Sequence, residues 1–229
     1  MKMIRSAAAF LAVPAIAAAA YALISAFLSF AGTSGSEYMP FWVGVFCYLV
    51  FQIAFYKPMR TYVFGHELTH AFAGVLSGAK IKKFKVGKES GHVVLTKDNI
   101  WITLAPYFFP IYTFAVIVIY LMLGWVTDIG ALYSYYLFVI GFSIAFHIAL
   151  TIYILGIGQS DLKVYGVFFS YAVIFTVNIA VFAFLMVLAF PQEINVKELF
   201  SVMYDNICVI YAAIYSGIKE IIAAFSGNY

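Results

Sequence analysis

Charged residues are scarce in this chain, and their scarcity indicates its solvent. Of the 229 residues, 10% are charged and 65% are hydrophobic. A soluble domain is about a quarter charged and about half apolar, and its surface must be largely polar. The composition therefore excludes an ordinary soluble globule and indicates a protein of the lipid bilayer. The net charge is only +3. The sequence shows no basic face large enough to follow a phosphate backbone, so we expect no nucleic-acid partner.

Cysteine is almost absent, which limits the metal sites that the chain can form. Cys47 and Cys208 are the only two, and neither has metal-type spacing. Both lie in apolar stretches and are interpreted as packing residues. Any metal site must then use nitrogen and oxygen ligands.

Long apolar runs make up most of the sequence. A helix needs about 20 mostly apolar residues to cross a bilayer. We predict an all-α polytopic membrane protein with about six transmembrane helices, in the cell membrane. The predicted spans are 7–31, 40–56, 60–78, 99–124, 131–155 and 164–190. The first resembles a signal sequence, but its apolar run is longer than the ~7–15 residues of a cleavable one, which favours an uncleaved helix.

We expect one membrane-embedded domain, 1–229, with a helical hairpin at 1–59 and a catalytic core at 60–190. A water-facing stretch, 80–99, has apolar residues at strand spacing on both sides of a turn at Gly87, Ser90 and Gly91, which predicts a β-hairpin on the membrane surface. Lysines and arginines divide almost evenly between the two sides of the membrane, and the dense lysine cluster of this stretch weakly favours a cytoplasmic hairpin.

The C-terminal stretch 194–226 has apolar residues at steps of three and four, which predicts an amphipathic helix. Such a helix could lie in the interface, dock on the bundle or pair with a second copy to give a homo-oligomer. Charges near both of its ends argue against a seventh span.

The chemistry is concentrated at His66-Glu67-Leu68-Thr69-His70, an HExxH pattern inside the apolar segment 60–78. Histidines four residues apart lie on one face of a helix and can bind one zinc ion together. Glu67 would project beside the metal as a general base. With this composition, a chance HExxH is expected in roughly 0.2% of chains. The alternative is a pair of polar helix–helix contacts, which leaves the buried glutamate unexplained.

Catalytic zinc needs a third protein ligand and an open position. Asp161 is the leading candidate, because Gly156 and Gly158 break the helix before it and let the chain present a carboxylate. The alternative is that Ser160 or Asp161 caps the helix that follows. The rival carboxylates lie in stretches that resemble surface loops; they are Glu37, Asp128 and Glu193.

Two other polar residues lie in apolar spans. His147 could hydrogen-bond Asp161, stabilise an oxyanion, or bond a neighbouring helix. Asn178 could hold substrate backbone or join two helices. Pro106 and Pro110 should bend their span, either to open a cleft beside the metal or only for packing.

These features together resemble the site-2 protease family of intramembrane zinc metalloproteases. The resemblance covers roughly 60–190 and rests on HELTH in a membrane segment, a strand-rich insert, a proline-bearing span and a helix-breaking aspartate. It implies that His66, His70 and Asp161 bind zinc and that Glu67 is the base. The family's aspartate is followed by glycine and preceded by an Asn-Pro element; here Leu162 follows and Gly-Ile-Gly-Gln precedes.

The leading hypothesis is an intramembrane zinc endopeptidase whose substrate is a membrane-spanning or membrane-adjacent helix. An edge of the hairpin could hold the unwound substrate by β-addition. One alternative is a membrane zinc enzyme that acts on another amide or ester. Another is a catalytically silent scaffold or metal-handling protein, which has no need of a base such as Glu67.

Overall fold

The computed structural model describes residues 2–33, 35–55, 57–88, 90–190 and 195–226. Its α-helices are α1 (Lys2–Thr33), α2 (Met39–Phe55), α3 (Met59–Leu76), α4 (Ile100–Leu104), α5 (Ile111–Leu123), α6 (Tyr133–Ile157), α7 (Ser160–Tyr165), α8 (Val167–Ala189) and α9 (Val196–Ser226). The strands are β1 (Ile81–Val86) and β2 (Gly91–Leu95). The predicted helical class with one small hairpin is confirmed.

Five helices in the described part of the chain are long and apolar enough to cross a membrane, and the number rises to six when the bent pair α4–α5 is included as one span. This indicates a multi-pass membrane protein, as predicted. The five are Met3–Leu28, Ser36–Phe55, Gly130–Ile157, Val167–Ala189 and Val196–Ala223.

Two of the helices differ from the predicted set of spans. The predicted segment 60–78 is helical, as α3, but it is not among the candidate spans, because Arg60, Glu67 and two histidines lower its hydropathy. Helix α9 is among them, although the charges near its ends argued against a seventh span. Its charges cluster near the ends, so Asp205 is the only charged residue between Leu199 and Ile218.

The chain divides into two compact units. One comprises Met1–Thr33 and Tyr171–Tyr229, and the other comprises Ser34–Ser170. In the first unit, α1, α8 and α9 share an apolar cluster that includes Ala22, Met186 and Leu199. Helix α1 thus belongs to one unit and α2 to the other, and the single domain predicted for 1–229 stays a prediction.

In the second unit, α2 and α6 pack with their backbones in direct contact. A methyl group added at Gly44 would overlap the Phe138 carbonyl, and one added at Gly141 would overlap the Phe41 carbonyl. Small residues at a crossing allow this approach inside a membrane, where close packing replaces the hydrophobic effect. The contact fixes α6, the helix that carries His147.

The hairpin pairs antiparallel, with Phe84 opposite Val93 and Val86 opposite Gly91. Its strands cover the predicted positions, so the hairpin is confirmed, and its place on the membrane surface stays a prediction. Both strands pack on α3, where the Phe84 ring meets Phe64 at 6.2 Å edge to face. The hairpin therefore lies directly beside the helix that carries the HExxH pattern.

The predicted bend is present between Ile100–Tyr107 and Ile111–Leu123, whose axes differ by 82°. Pro106 and Pro110 lack the backbone N–H that continues a helix, and their rings block the preceding turn. Asn99 caps the first half by accepting a hydrogen bond from the Ile102 N–H at 2.9 Å. The bend directs the Ile102 carbonyl and Tyr107 towards α3.

Candidate metal centre

Helix α3 places His66 and His70 side by side. The residues lie one turn apart, and their ring centroids are 4.8 Å apart. Their side chains are 11% and 13% exposed. Phe64, Val63 and Ala71 around them suit a helix packed on its neighbours, so local sequence determines this half of the site.

Asp161 reaches the histidines from the other side of the helix break. Helix α6 ends at Ile157, and Gly158 has a φ of 76°, a left-handed conformation that favours glycine. Helix α7 begins at Ser160, after the cap position at Gln159. Asp161 Oδ2 lies 3.6 Å from the Nε2 atoms of both His66 and His70. The carboxylate therefore faces the histidines instead of capping α7.

The three side chains fit a small divalent metal ion. Zinc binds histidine nitrogen and carboxylate oxygen at about 2.0–2.2 Å in a tetrahedron, so two ligand atoms should be roughly 3.3–3.5 Å apart. The nitrogen–oxygen separations of 3.6 Å are close to that. Among the described residues, His66, His70 and Asp161 form the one group of this kind, with ligand atoms within 4.8 Å of one another.

Two hydrogen bonds orient the ligands. His70 Nδ1 lies 2.7 Å from the Ile102 carbonyl oxygen, to which it donates, so its Nε2 lone pair is available for a metal. The Tyr107 hydroxyl donates to Asp161 Oδ2 at 2.8 Å. Burial raises the pKa of the Asp161 carboxyl, but the neighbouring imidazoles of His66 and His70 and the Tyr107 hydroxyl outweigh it and hold that pKa below its usual value. The carboxylate is therefore ionised at neutral pH.

Glu67 lies next to the ligands and is 7% exposed. The backbone N–H of Val93 in β2 lies close to its carboxylate. Gly91 permits this approach, because a methyl group there would come within 2.6 Å of Glu67 Cγ and 3.0 Å of Val63 Cγ1. The hairpin thus lies directly against the predicted base.

A cleft of about 380 Å³ opens onto this group. Both histidines, Glu67 and Asp161 line it, together with β2, the start of α4 and the residues that precede α7. The volume is in the usual range for small-molecule and peptide-fragment sites. Candidate base and candidate ligands therefore face one accessible space.

The remaining predicted residues lie elsewhere. His147 lines a second, smaller cavity that His66 also borders, and no hydrogen bond joins it to Asp161 in the described residues. Asn178 lies in the other unit, where its amide donates to the Ile174 carbonyl one helical turn away. The roles proposed for both stay predictions.

The rival carboxylates do not join the metal group. Glu37 lies in a short 3₁₀ helix, and Asp128 accepts a hydrogen bond from the Gly130 N–H in a turn. Glu193 lies outside the described residues.

Sequence reasoning missed Tyr107, the Ile102 carbonyl and Gly91. Each acts through a neighbour distant in the chain; Tyr107, for example, is 54 residues from Asp161. The proline bend was a signal that residues 100–110 approach the site, but it did not indicate which of them do so.

No protein-family model, curated protein or solved structure matches the chain.

Proposed function

We propose that this protein is a membrane-embedded zinc endopeptidase. The observation that carries the proposal is the position of Glu67: a buried carboxylate beside the three-ligand group, facing the same cleft. A group that only held a metal would gain nothing from a second carboxylate there, because burying one is costly.

The ligand set supports zinc as the metal. His66, His70 and Asp161 offer two nitrogens and one oxygen, the kind of three-ligand set found in catalytic zinc sites, which keep one position open. When bound, zinc supplies Lewis acidity, which lowers the pKa of water and polarises a carbonyl group. The cysteines contribute nothing to this set.

Glu67 is the residue that can move the proton. Its carboxylate can accept a proton from the attacking water and return it to the leaving amine. The backbone N–H of Val93 lies close to this carboxylate at the edge of the cleft. Tyr107 holds Asp161 by its Oδ2 atom, so that the ligand keeps its orientation while the proton moves.

The substrate we propose is an unwound segment of a membrane protein. Hydrogen bonds within a helix shield its peptide bonds, so a helical substrate must extend before it can be hydrolysed. Strand β2 lines the cleft through Gly91, Val93 and Leu95, and offers an edge to which an extended segment could add. We propose the cell membrane as the location.

The resemblance to site-2 proteases supports the same function, since the residues that carry it are the ones gathered at the cleft. The alternative is a silent membrane scaffold or metal-handling protein that keeps the three ligands. That alternative gives no reason for the buried Glu67.

The test compares wild type with Glu67→Gln in detergent or nanodiscs, using a panel of single-span membrane peptides. We expect Glu67→Gln to retain zinc and folding while peptide cleavage is lost, because the amide cannot accept the proton. Asp98→Asn is the matched control, since Asp98 lines the same cleft but bonds Thr103 at 2.8 Å. Cleavage by Glu67→Gln at the wild-type rate would remove Glu67 from the base role and overturn the proposal.

A further inference from the structure

The two histidine ligands differ in what holds their second ring nitrogen. His70 Nδ1 donates to the Ile102 carbonyl oxygen at 2.7 Å. His66 Nδ1 is buried and has no hydrogen-bond partner among the described residues. A metal-binding histidine almost always donates through its other nitrogen, which fixes the tautomer and the ring orientation. His66 therefore needs a partner that the surrounding protein atoms do not provide.

A small cavity of about 20 Å³ borders His66. His66 lines both this cavity and the larger cleft. Tyr62 of α3 and His147 of α6 also line the small cavity. A cavity of at least ~10–15 Å³ admits one water molecule, provided that two to four polar groups can bond it.

The polar groups needed for such a water are present. Besides His66 Nδ1, two other buried atoms without a partner in the described part of the chain belong to lining residues: Tyr62 Oη and His147 Nε2. A buried polar atom without a hydrogen bond costs free energy.

We propose that this cavity is a water-binding site and that His147 is a positioning residue for His66. The water accepts a hydrogen bond from His66 Nδ1, donates to His147 Nε2 and bonds the Tyr62 hydroxyl. His66 Nε2 then keeps its lone pair towards Asp161, as a metal ligand must. His147 acts on the metal centre through His66 and not through Asp161. This inference rests on the metal binding of the proposed function.

The test measures metal affinity instead of cleavage. Substitution of residues that support a metal ligand typically lowers affinity 10–100-fold. We therefore expect His147→Leu to raise the Kd for Zn²⁺ by about tenfold in chelator competition. His147→Gln should recover most of the affinity, because the end of its amide can take the place of Nε2.

Tyr48→Phe is the matched control. The Tyr48 hydroxyl of α2 is also buried without a partner in the part of the chain described, and its ring packs edge to face on Phe142 and Phe146 of α6, but Tyr48 does not line the cavity. A purely structural role for buried polar groups around α6 would make the two substitutions alike. Co²⁺ bound in place of zinc gives a second measurement, since its visible spectrum reports ligand geometry. We expect the spectrum to change in His147→Leu and to stay the same in Tyr48→Phe.

Each outcome has a defined meaning. Unchanged affinity and an unchanged cobalt spectrum in His147→Leu would overturn the water site and leave the proposed function intact. Equal losses in His147→Leu and Tyr48→Phe, or no recovery in His147→Gln, would show a general packing role and also overturn it. Failure of the wild type to bind either metal would overturn both proposals.

Discussion

His66 and His70 lie one helical turn apart, but their surroundings differ. His70 is held by the Ile102 backbone carbonyl, a partner that side-chain substitution does not remove. His66 borders a cavity lined by polar side chains of α3, α5 and α6. One half of the candidate metal centre is thus held by a main-chain group, and the other depends on individual side chains. We expect the second half to be the easier one to weaken without unfolding the protein.

The largest effect is expected when a ligand itself is removed, because the surroundings of His66 and His70 then no longer matter. His66→Ala or His70→Ala should each reduce bound zinc from about one ion per chain to almost none, because two protein ligands hold zinc poorly. Elemental analysis of the purified protein measures the number of zinc ions per chain. His92→Ala is the control, since His92 lines the cleft but lies outside the ligand group. Full zinc content in either ligand variant would rule out the assigned site.

A smaller effect is expected from the residue that orients Asp161. Tyr107→Phe removes the 2.8 Å hydrogen bond to Oδ2 and should weaken zinc binding by roughly tenfold. Tyr112→Phe is the matched control, because that hydroxyl donates to the Thr61 carbonyl. Chelator competition compares the two. Equal zinc affinity for both variants would mean that Tyr107 does not support the metal site. Asp161 would then be held in place without the help of Tyr107.

The smallest effect concerns the hairpin. Gly91→Ala adds a methyl group within 2.6 Å of Glu67 Cγ, so the base must shift while the ligands stay in place. We expect kcat to fall by about threefold to tenfold at unchanged zinc content. At Gly217 an added methyl group meets no atom within 4 Å among the described residues, which makes Gly217→Ala the control. A loss of zinc in Gly91→Ala would instead show that the hairpin also positions the metal ligands.

The sequence predicts the local parts of this site well. The spacing of His66 and His70 defines one helical face, and two short apolar alternations define the hairpin. Gly158 indicates the break that brings Asp161 to the site. These signals are periodic or conformational, and they act within a few residues of the position that they determine.

Contacts between segments that are distant in the chain leave no such signal in the sequence. The bond from Tyr107 to Asp161 and the contact of Gly91 with Glu67 each require two segments to meet. The assignment of spans differed for another reason. Charges near both ends of α9 argued against a span, whereas the mean hydropathy of Val196–Ala223 is 1.4, high enough to cross a membrane despite Asp205.

The most direct test of the account is X-ray absorption of the zinc-loaded protein, measured for wild type and Asp161→Asn. We predict about one zinc per chain in the wild type, with nitrogen and oxygen ligands at about 2.0–2.1 Å and no sulfur. Asp161→Asn should stay folded, because Gln159 and not Asp161 occupies the cap position of α7, but it should bind zinc weakly. Sulfur in the first shell, or an unchanged zinc spectrum in Asp161→Asn, would contradict the assignment of His66, His70 and Asp161 as the metal ligands.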